Sequence, residues 1–244
     1  MKVRILILLF FWGAVDLSAQ TIVQQFASIS QTHGDYSSGP GSVSDMDLEA
    51  SGKGNLLIAM PGLVLSPGVK VLSVTDNAPD AGNTYRQVPD AISSCGDNGP
   101  LDIWYCENCK PGVTELKFHF SGRARASINT FLEVSNMASS SVLDGNGAHV
   151  SDGTATSAGL EVGPSITTTA TDLIIARYLS GDPNPTGVTP AAWTHKPSYA
   201  YVLNGPPGTY QPTLTGGKAA SSFCMSVAAF KTAGATAVSA PNKD

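Results

Sequence analysis

The stretch at residues 115–120 reads ELKFHF, in which Leu116, Phe118 and Phe120 alternate with polar residues. Successive side chains of an extended strand point to opposite faces, so this pattern predicts a strand with one buried and one solvated face. Residues 43–50 alternate in the same way, with Met46 and Leu48 on the apolar side. The chain therefore contains strands of the kind that line one side of a sheet.

Other stretches are apolar on both faces and predict central strands, because a strand covered on both sides has no polar face. Charged residues make up only 14% of the chain, which also contains 25 glycines and 16 prolines, and no segment has the pattern of an amphipathic helix. This composition favours an all-β fold, and we expect a single β-sandwich of jelly-roll or double-Greek-key type. The predicted central strands are residues 56–59, 128–134, 173–176 and 223–230.

The two halves of the sequence share a faint order. GNLLIA at residues 54–59 is echoed by TDLIIA at 171–176, and the stretch that starts at Ala126 is echoed by the one that starts at Ala220. The two offsets differ, so the echo is not a solenoid period. Two interpretations stay open: buried strands simply resemble one another, or the fold consists of two pseudo-similar halves.

The first residues have the pattern of a signal peptide. Lys2 and Arg4 precede an apolar run over residues 5–15, and small residues follow at Ser18 and Ala19. The run is shorter than the ~20 residues that a membrane-spanning helix needs. We expect a signal peptide at residues 1–19, a β-sandwich domain at 20–232 and a flexible tail at 233–244, and hence a secreted protein that is extracellular, periplasmic or at the cell surface.

Charge and cysteine usage narrow the classes of function. The net charge is −5 and the chain has no basic stripe of the kind that phosphate binding requires, which excludes nucleic acid as a partner. In an oxidising compartment an even cysteine count favours disulfides, and four cysteines allow three pairings. The short spacing of Cys106 and Cys109 favours a local ring, which leaves Cys95 to pair with Cys224. A four-thiolate zinc site is the alternative.

Turn and strand motifs occur at residues 74–77, 82–85, 103–105, 111–121, 133–136, 143–145 and 228–231. These motifs resemble those of a recurrent family of secreted bacterial β-sandwich domains. In that family a strand ends in a T-D-N-x-G-N-T-Y turn, and later strands carry I-W-Y, V-T-V-x-F-S, L-D-G and A-A-F-K motifs. The resemblance implies a β-sandwich and transfers no active site. Residues 78–81 stand where the family has a single residue, and Cys106 and Cys109 stand where small or apolar residues are commoner.

The turn that carries the first of these motifs is the candidate metal site. Asp76, Asn77, Asp80 and Asn83 could wrap a calcium ion with side-chain and carbonyl oxygens. The alternative is that these side chains cap the turn, as Asp and Asn commonly do. Calcium is the only cofactor that the sequence suggests.

Glu133 and a group of aromatic residues are the remaining candidates. Glu133 lies within an apolar strand, where it could act as a general acid or could be a structural residue paired with backbone donors or with Arg123, Arg125 or Arg177. Aromatic rings in the Gly/Pro-rich region at residues 181–217 could stack on a sugar, or could hold a long loop against the core. These aromatic residues are Trp193, Tyr199, Tyr201 and Tyr210.

These observations lead to three functional hypotheses. The first is an exported, non-catalytic module for recognition of a cell surface, a matrix or a glycan. The second is a structural subunit that assembles by strand exchange through residues 21–32, which follow the predicted cleavage site. The third is a polysaccharide hydrolase, which would need a second carboxylate across a cleft.

Overall fold

The computed structural model describes residues 19–31, 43–64, 66–90, 92, 94–96, 98–122, 126–151, 160–180, 185–215 and 223–234. Residues 1–18 of the predicted signal peptide and residues 235–244 of the predicted tail lie outside this set. Within it the chain is all β, as predicted, and contains no helix long and apolar enough to cross a membrane.

The first half of the chain forms an antiparallel sandwich of two sheets. Its inner sheet has the order β1-β9-β3-β7-β6, with β4 also paired to β9, and its outer sheet has the order β2-β8-β5. The strands are β1 (Thr21–Gln31), β2 (Val43–Asp47), β3 (Leu56–Met60), β4 (Leu63–Val64), β5 (Val71–Asp76), β6 (Arg86–Gln87), β7 (Trp104–Cys106), β8 (Glu115–Phe120) and β9 (Ala126–Ser135).

The second half repeats this architecture. Its inner sheet has the order β10-β19-β13-β16-β15, and its outer layer consists of β11-β18-β14 and β12-β17. The strands are β10 (Leu143–Ser151), β11 (Glu161–Val162), β12 (Ile166–Thr168), β13 (Asp172–Ser180), β14 (Gly187–Thr189), β15 (Thr194–Lys196), β16 (Tyr199–Gly205), β17 (Gly208–Tyr210), β18 (Thr213–Thr215) and β19 (Phe223–Lys231).

We call residues 21–135 the first repeat and residues 143–231 the second repeat, because the inner sheets match strand for strand. In each repeat the first strand pairs with the last, and a β-bulge falls just after Ile22 in β1 and just after Leu143 in β10. Leu56 and Leu173 then occupy equivalent positions, since Leu56 pairs with Val134 and Leu173 with Phe230. The sequence echo at residues 54–59 and 171–176 therefore falls on equivalent strands, β3 and β13.

Among the described residues three large hydrophobic cores separate the four layers, and a fourth, small cluster surrounds the Cys95–Cys224 pair. The central core lies between the two inner sheets and contains Leu56 and Ile58 from one repeat and Leu173 and Ile175 from the other. The opposite faces of the same strands line the outer cores, with Phe131 in the first and Ile174 in the second. This arrangement explains why the predicted central strands are apolar on both sides, since each inner sheet is covered twice.

Alternating strands lie in the outer sheets, as the sequence predicts. Leu116, Phe118 and Phe120 of β8 are fully buried, whereas the residues between them are partly exposed. Strand β2 alternates in the same way, so its outward carboxylates at Asp45 and Asp47 are solvated.

Both predicted cysteine pairs lie at disulfide-bonding distance. Cys106 and Cys109 close a ring across the turn that follows β7, with sulfur atoms 1.97 Å apart. Cys95 and Cys224 join a loop of the first repeat to β19 of the second, with sulfur atoms 2.13 Å apart. The second bridge therefore fixes the two repeats to each other.

Candidate functional site

The turn predicted to bind metal is closed by its own hydrogen bonds. The Asp76 carboxylate accepts from the backbone N–H of Ala78 at 3.1 Å and of Asn83 at 3.0 Å, from the Asn83 amide at 2.8 Å and from the Tyr85 hydroxyl at 2.9 Å. Burial, followed by the Asp76 charge, raises the pKa of Tyr85, so its hydroxyl keeps its proton and donates. All four lone-pair positions of the carboxylate are thus engaged by the chain itself.

The rest of this turn is also engaged by protein groups. The Asn77 side-chain oxygen accepts from the backbone N–H of Thr114 and Glu115, which ties the turn to β8. The Lys110 ammonium donates to the backbone oxygens of Pro79 and Asp80, at 3.3 and 2.7 Å. A cation of the protein therefore already contacts the carbonyl oxygens that an ion would use, and no cluster of three or more metal-ligating side chains occurs among the described residues.

The backbone of the turn requires glycine at one position. Asp80, Ala81 and Gly82 have φ angles of 56°, 70° and 75°, which turn the chain sharply. A Cβ atom at Gly82 would come within 3.0 Å of the Asp76 carboxylate. The G-N-T-Y part of the motif therefore has a physical reason: Gly82 makes room for the carboxylate that Asn83 and Tyr85 then bind.

A polar cleft of about 350 Å³ lies beside this turn. One wall is the turn, through Asn83 and Thr84, and the opposite wall is the ring closed by Cys106 and Cys109. Ser139, in the loop that joins the two repeats, completes the rim.

Two oppositely charged side chains that line the cleft form an ion pair. The Arg86 guanidinium binds Glu107 at 2.8 Å, and the other oxygen of Glu107 accepts from the backbone N–H of Val142 at 3.0 Å. Because Val142 directly precedes β10, Glu107 connects the cleft to the start of the second repeat. Lys110 supplies a second cation at the rim, so the cleft is positive on balance although the chain is acidic.

Three side chains at the cleft have hydrogen-bonding groups that no other described residue engages. They are the Thr84 hydroxyl, the Asn108 amide and the Ser139 hydroxyl, and all three residues are exposed. Hydroxyl and amide groups that converge on a preformed cleft are the groups with which proteins bind small polar ligands. The surrounding turn and disulfide ring hold the backbone that carries them.

Glu133 is fully buried and does not line the cleft described above. Its carboxylate accepts from the Gly52 N–H at 2.6 Å and from the Asn55 and Gln24 amides at 2.5 Å each. Arg177, one of the proposed partners, lies elsewhere and donates to the backbone oxygens of Ile128 and Ser198. The other two proposed partners, Arg123 and Arg125, fall outside the described residues. Glu133 thus has the environment of a structural residue satisfied by backbone and amide donors.

The four aromatic candidates are divided between the two faces of the second inner sheet. Tyr199 and Tyr201 share the face toward the first repeat, where their rings stack with centroids 6.2 Å apart. Trp193 is only 7% exposed and packs in the second outer core, where Tyr210 also lies. The structure does not bring the four together into one surface.

The cleft could not be located from the sequence. Arg86 and Glu107 meet only because β6 pairs with β7, and Ser139 arrives from the loop between the repeats. The CxxC spacing and the Asn83 turn were the signals that pointed to its two walls. No protein-family model and no curated protein matches this chain.

Proposed function

We propose that this chain is an exported, non-catalytic recognition module that binds a hydroxyl-rich ligand, a glycan, in the cleft beside the Cys106–Cys109 ring. The observation that carries the proposal is the set of unengaged polar groups at Thr84, Asn108 and Ser139. A sugar offers several hydroxyls in a fixed arrangement, and each can both donate and accept. A preorganised set of hydroxyl and amide groups is complementary to such a ligand.

The scaffold around the cleft supports this proposal. The Asp76 hydrogen bonds fix one wall and the disulfide ring fixes the other, so little conformational entropy is lost on binding. The Tyr105 ring, which lines the cleft, packs edge-on against Phe230 of the second repeat and adds a rigid apolar surface. The two disulfides are compatible with export to an oxidising compartment.

A glycan-array screen of the purified chain tests this function. We expect a bound glycan whose affinity falls at least tenfold in Asn108→Ala and in Arg86→Ala. Lys117→Ala is the matched control, because Lys117 forms a comparable exposed ion pair with Glu115 on β8, away from the cleft. Binding that survives both cleft variants, or that is lost in Tyr201→Ala instead, would refute the cleft as the site.

A second candidate function, assembly through strand edges, is favoured by strand β1. This strand lies at the edge of the first inner sheet, and Val23 and Phe26 on it are 51% and 36% exposed. Exposed apolar residues on an edge strand favour pairing with a second chain, and a lysine there opposes it. If the chain assembles in this way, Val23→Lys with Phe26→Lys converts an oligomer to a monomer in sedimentation experiments; a wild-type chain that is already monomeric would exclude it.

A further inference from the structure

Two buried carboxyl groups meet at the start of the second repeat. Asp172 of β13 is fully buried, and the Asp144 side chain, at the bulge of β10, is only 4% exposed. Neither Asp172 oxygen has a partner at ordinary hydrogen-bonding distance among the described residues. Asp172 pairs with Lys231 across β13 and β19, and the Asp144 carboxyl and the Thr168 hydroxyl face its side chain. A buried carboxylate with no well-formed hydrogen bond is costly, so the charge state of Asp172 needs an explanation.

Asp144 is the member of the pair that is suited to carry the charge. It accepts from the Thr169 backbone N–H at 2.5 Å and from the Thr169 hydroxyl at 2.8 Å, and the Lys231 ammonium lies 3.4 Å from it. Burial acts to raise the pKa of Asp144, but the Thr169 hydrogen bonds, the hydrogen bond with Asp172 and the Lys231 charge together outweigh burial, and the pKa is lowered. Burial, together with the Asp144 charge, raises the pKa of Asp172 to about 8.

The first repeat has a hydrogen-bond donor at the position equivalent to Asp172. Asn55 stands immediately before β3, at the position equivalent to Asp172 before Leu173 of β13. The Asn55 amide donates a hydrogen bond to the buried Glu133 carboxylate. A carboxyl group can replace that amide as a donor only when it is protonated.

We propose that Asp144 and Asp172 share one proton, with the Asp172 acid donating to the ionised Asp144 carboxylate, and that the pair is a pH-sensitive latch on the start of β10. The other groups that face it are the Lys231 ammonium from β19, the Thr168 hydroxyl from β12 and the Tyr210 phenol from β17. When the proton leaves, two carboxylates face each other with Lys231 as their single cation among the described residues.

Loss of the proton also affects the junction between the repeats. Lys231 donates to the backbone oxygen of Ser141, and Val142 beside it donates to Glu107 of the first repeat. Repulsion between the two carboxylates displaces Asp144 from Lys231 and loosens the first residues of β10. The latch therefore holds the loop that joins the repeats.

The direction of the pH effect follows from proton linkage. The pKa of Asp172 is raised in the folded chain, which therefore keeps a proton that the unfolded chain releases above its ordinary value of 3.8. The stabilisation is complete below that value and is lost as the pH rises through about 8. Asn at this position has no proton to lose, so Asp172→Asn removes this part of the pH dependence.

Urea denaturation from pH 5 to pH 8 tests the latch, with the unfolding equilibrium of each variant compared with that of the wild type. We expect the ratio of the Asp172→Asn and wild-type folding constants to rise with pH by up to about tenfold per pH unit. The variant Asn55→Asp puts an acid at the equivalent position of the first repeat. The ratio of its folding constant to that of the wild type should therefore fall as the pH rises. Parallel pH profiles for the wild type and Asp172→Asn would overturn the proposal.

Infrared spectroscopy gives a second readout that does not depend on a variant's ability to fold. Burial raises the pKa of Asp102 to about 7, so that acid contributes a carbonyl stretch at pH 6 to the wild type and to Asp172→Asn alike. The wild-type chain should show an additional carbonyl stretch of a protonated carboxylic acid, which is missing in Asp172→Asn and disappears as the pH is raised above 9. No such band in the wild type would refute the shared proton. A calcium-dependent rise in wild-type stability that Asp172→Asn abolishes would also refute it, because the two carboxylates would then hold a metal ion instead.

Discussion

Replacement of Glu133 by Gln tests whether this buried carboxylate is structural. The isosteric amide keeps one acceptor oxygen but turns the other into an NH₂ group that faces a donor. Three donors contact the native carboxylate: the Gly52 N–H at 2.6 Å and the Asn55 and Gln24 amides at 2.5 Å. At least one of these bonds is lost, and the others lose the contribution of the charge.

The magnitude follows from these contacts. A hydrogen bond to a charged group contributes about 1.5–3 kcal/mol and a neutral one about 0.5–1.5 kcal/mol. The loss of one hydrogen bond and the weakening of two would cost about 3–5 kcal/mol. Part of this loss is offset because the neutral Gln side chain costs less to bury than the charged Glu. We therefore expect Glu133→Gln to lower the free energy of unfolding by about 2–3 kcal/mol. Because Gln24 lies on β1, amide hydrogen exchange in β1 should accelerate more than in β8.

Urea denaturation at pH 7 under non-reducing conditions measures this effect. Glu115→Gln is the control, since Glu115 is partly exposed and its pairing with Lys117 should contribute less than about 1 kcal/mol. A Glu133→Gln variant within 0.5 kcal/mol of the wild type would show that the three hydrogen bonds do not stabilise the fold. It would reopen the interpretation of Glu133 as a functional acid.

Three further predictions follow from the structure. Replacement of both Cys95 and Cys224 by Ala should lower the free energy of unfolding by about 5 kcal/mol, whereas removal of the Cys106–Cys109 ring should lower it by only about 2 kcal/mol. The reason is that the first bridge closes a span of 129 residues and the second a span of 3. Equal losses in urea denaturation would contradict this. Asp76→Asn should lower the free energy of unfolding by about 2 kcal/mol, whereas Asp80→Asn should leave it unchanged. A calcium-dependent rise in the melting temperature that Asp76→Asn abolishes would support a metal site in this turn instead. Arg177→Lys should cost about 1–3 kcal/mol, since one ammonium cannot bridge the Ile128 and Ser198 oxygens as the guanidinium does; wild-type stability would show that this bridge is dispensable.

The strands could be predicted because their signal is local. Side-chain alternation in β8 and continuous apolar runs in β3 and β13 depend only on which faces of a strand are covered. The observed cysteine pairing was the one that the sequence favoured, since the short spacing of Cys106 and Cys109 suggests a local ring that leaves Cys95 and Cys224, although a zinc site was the alternative. The echo at residues 54–59 and 171–176 was visible, but only the matching strand order and bulges place it on equivalent strands.

The roles of the polar side chains could not be predicted in the same way. Asp76 was a candidate metal ligand and Glu133 a candidate acid, yet the role of a carboxylate depends on how many donors the fold brings to it. The partners of Glu133 come from residues 24, 52 and 55, and those partners are distant in sequence. The aromatic candidates were separated for a related reason, since Tyr201 and Trp193 face different cores of a sheet that is covered on both sides.

The class of fold and the central strands could be inferred from the sequence, because burial of alternate or successive side chains is a short-range property. The spacing of Cys106 and Cys109 favoured the cysteine pairs that the structure contains, but left the other pairings open. Tertiary structure alone decided that two repeats stack through their inner sheets, that a cleft forms where β6 meets β7, and that Asp144 meets Asp172. Each of these depends on contacts between segments far apart in the chain, and such contacts leave no periodic signal in the sequence.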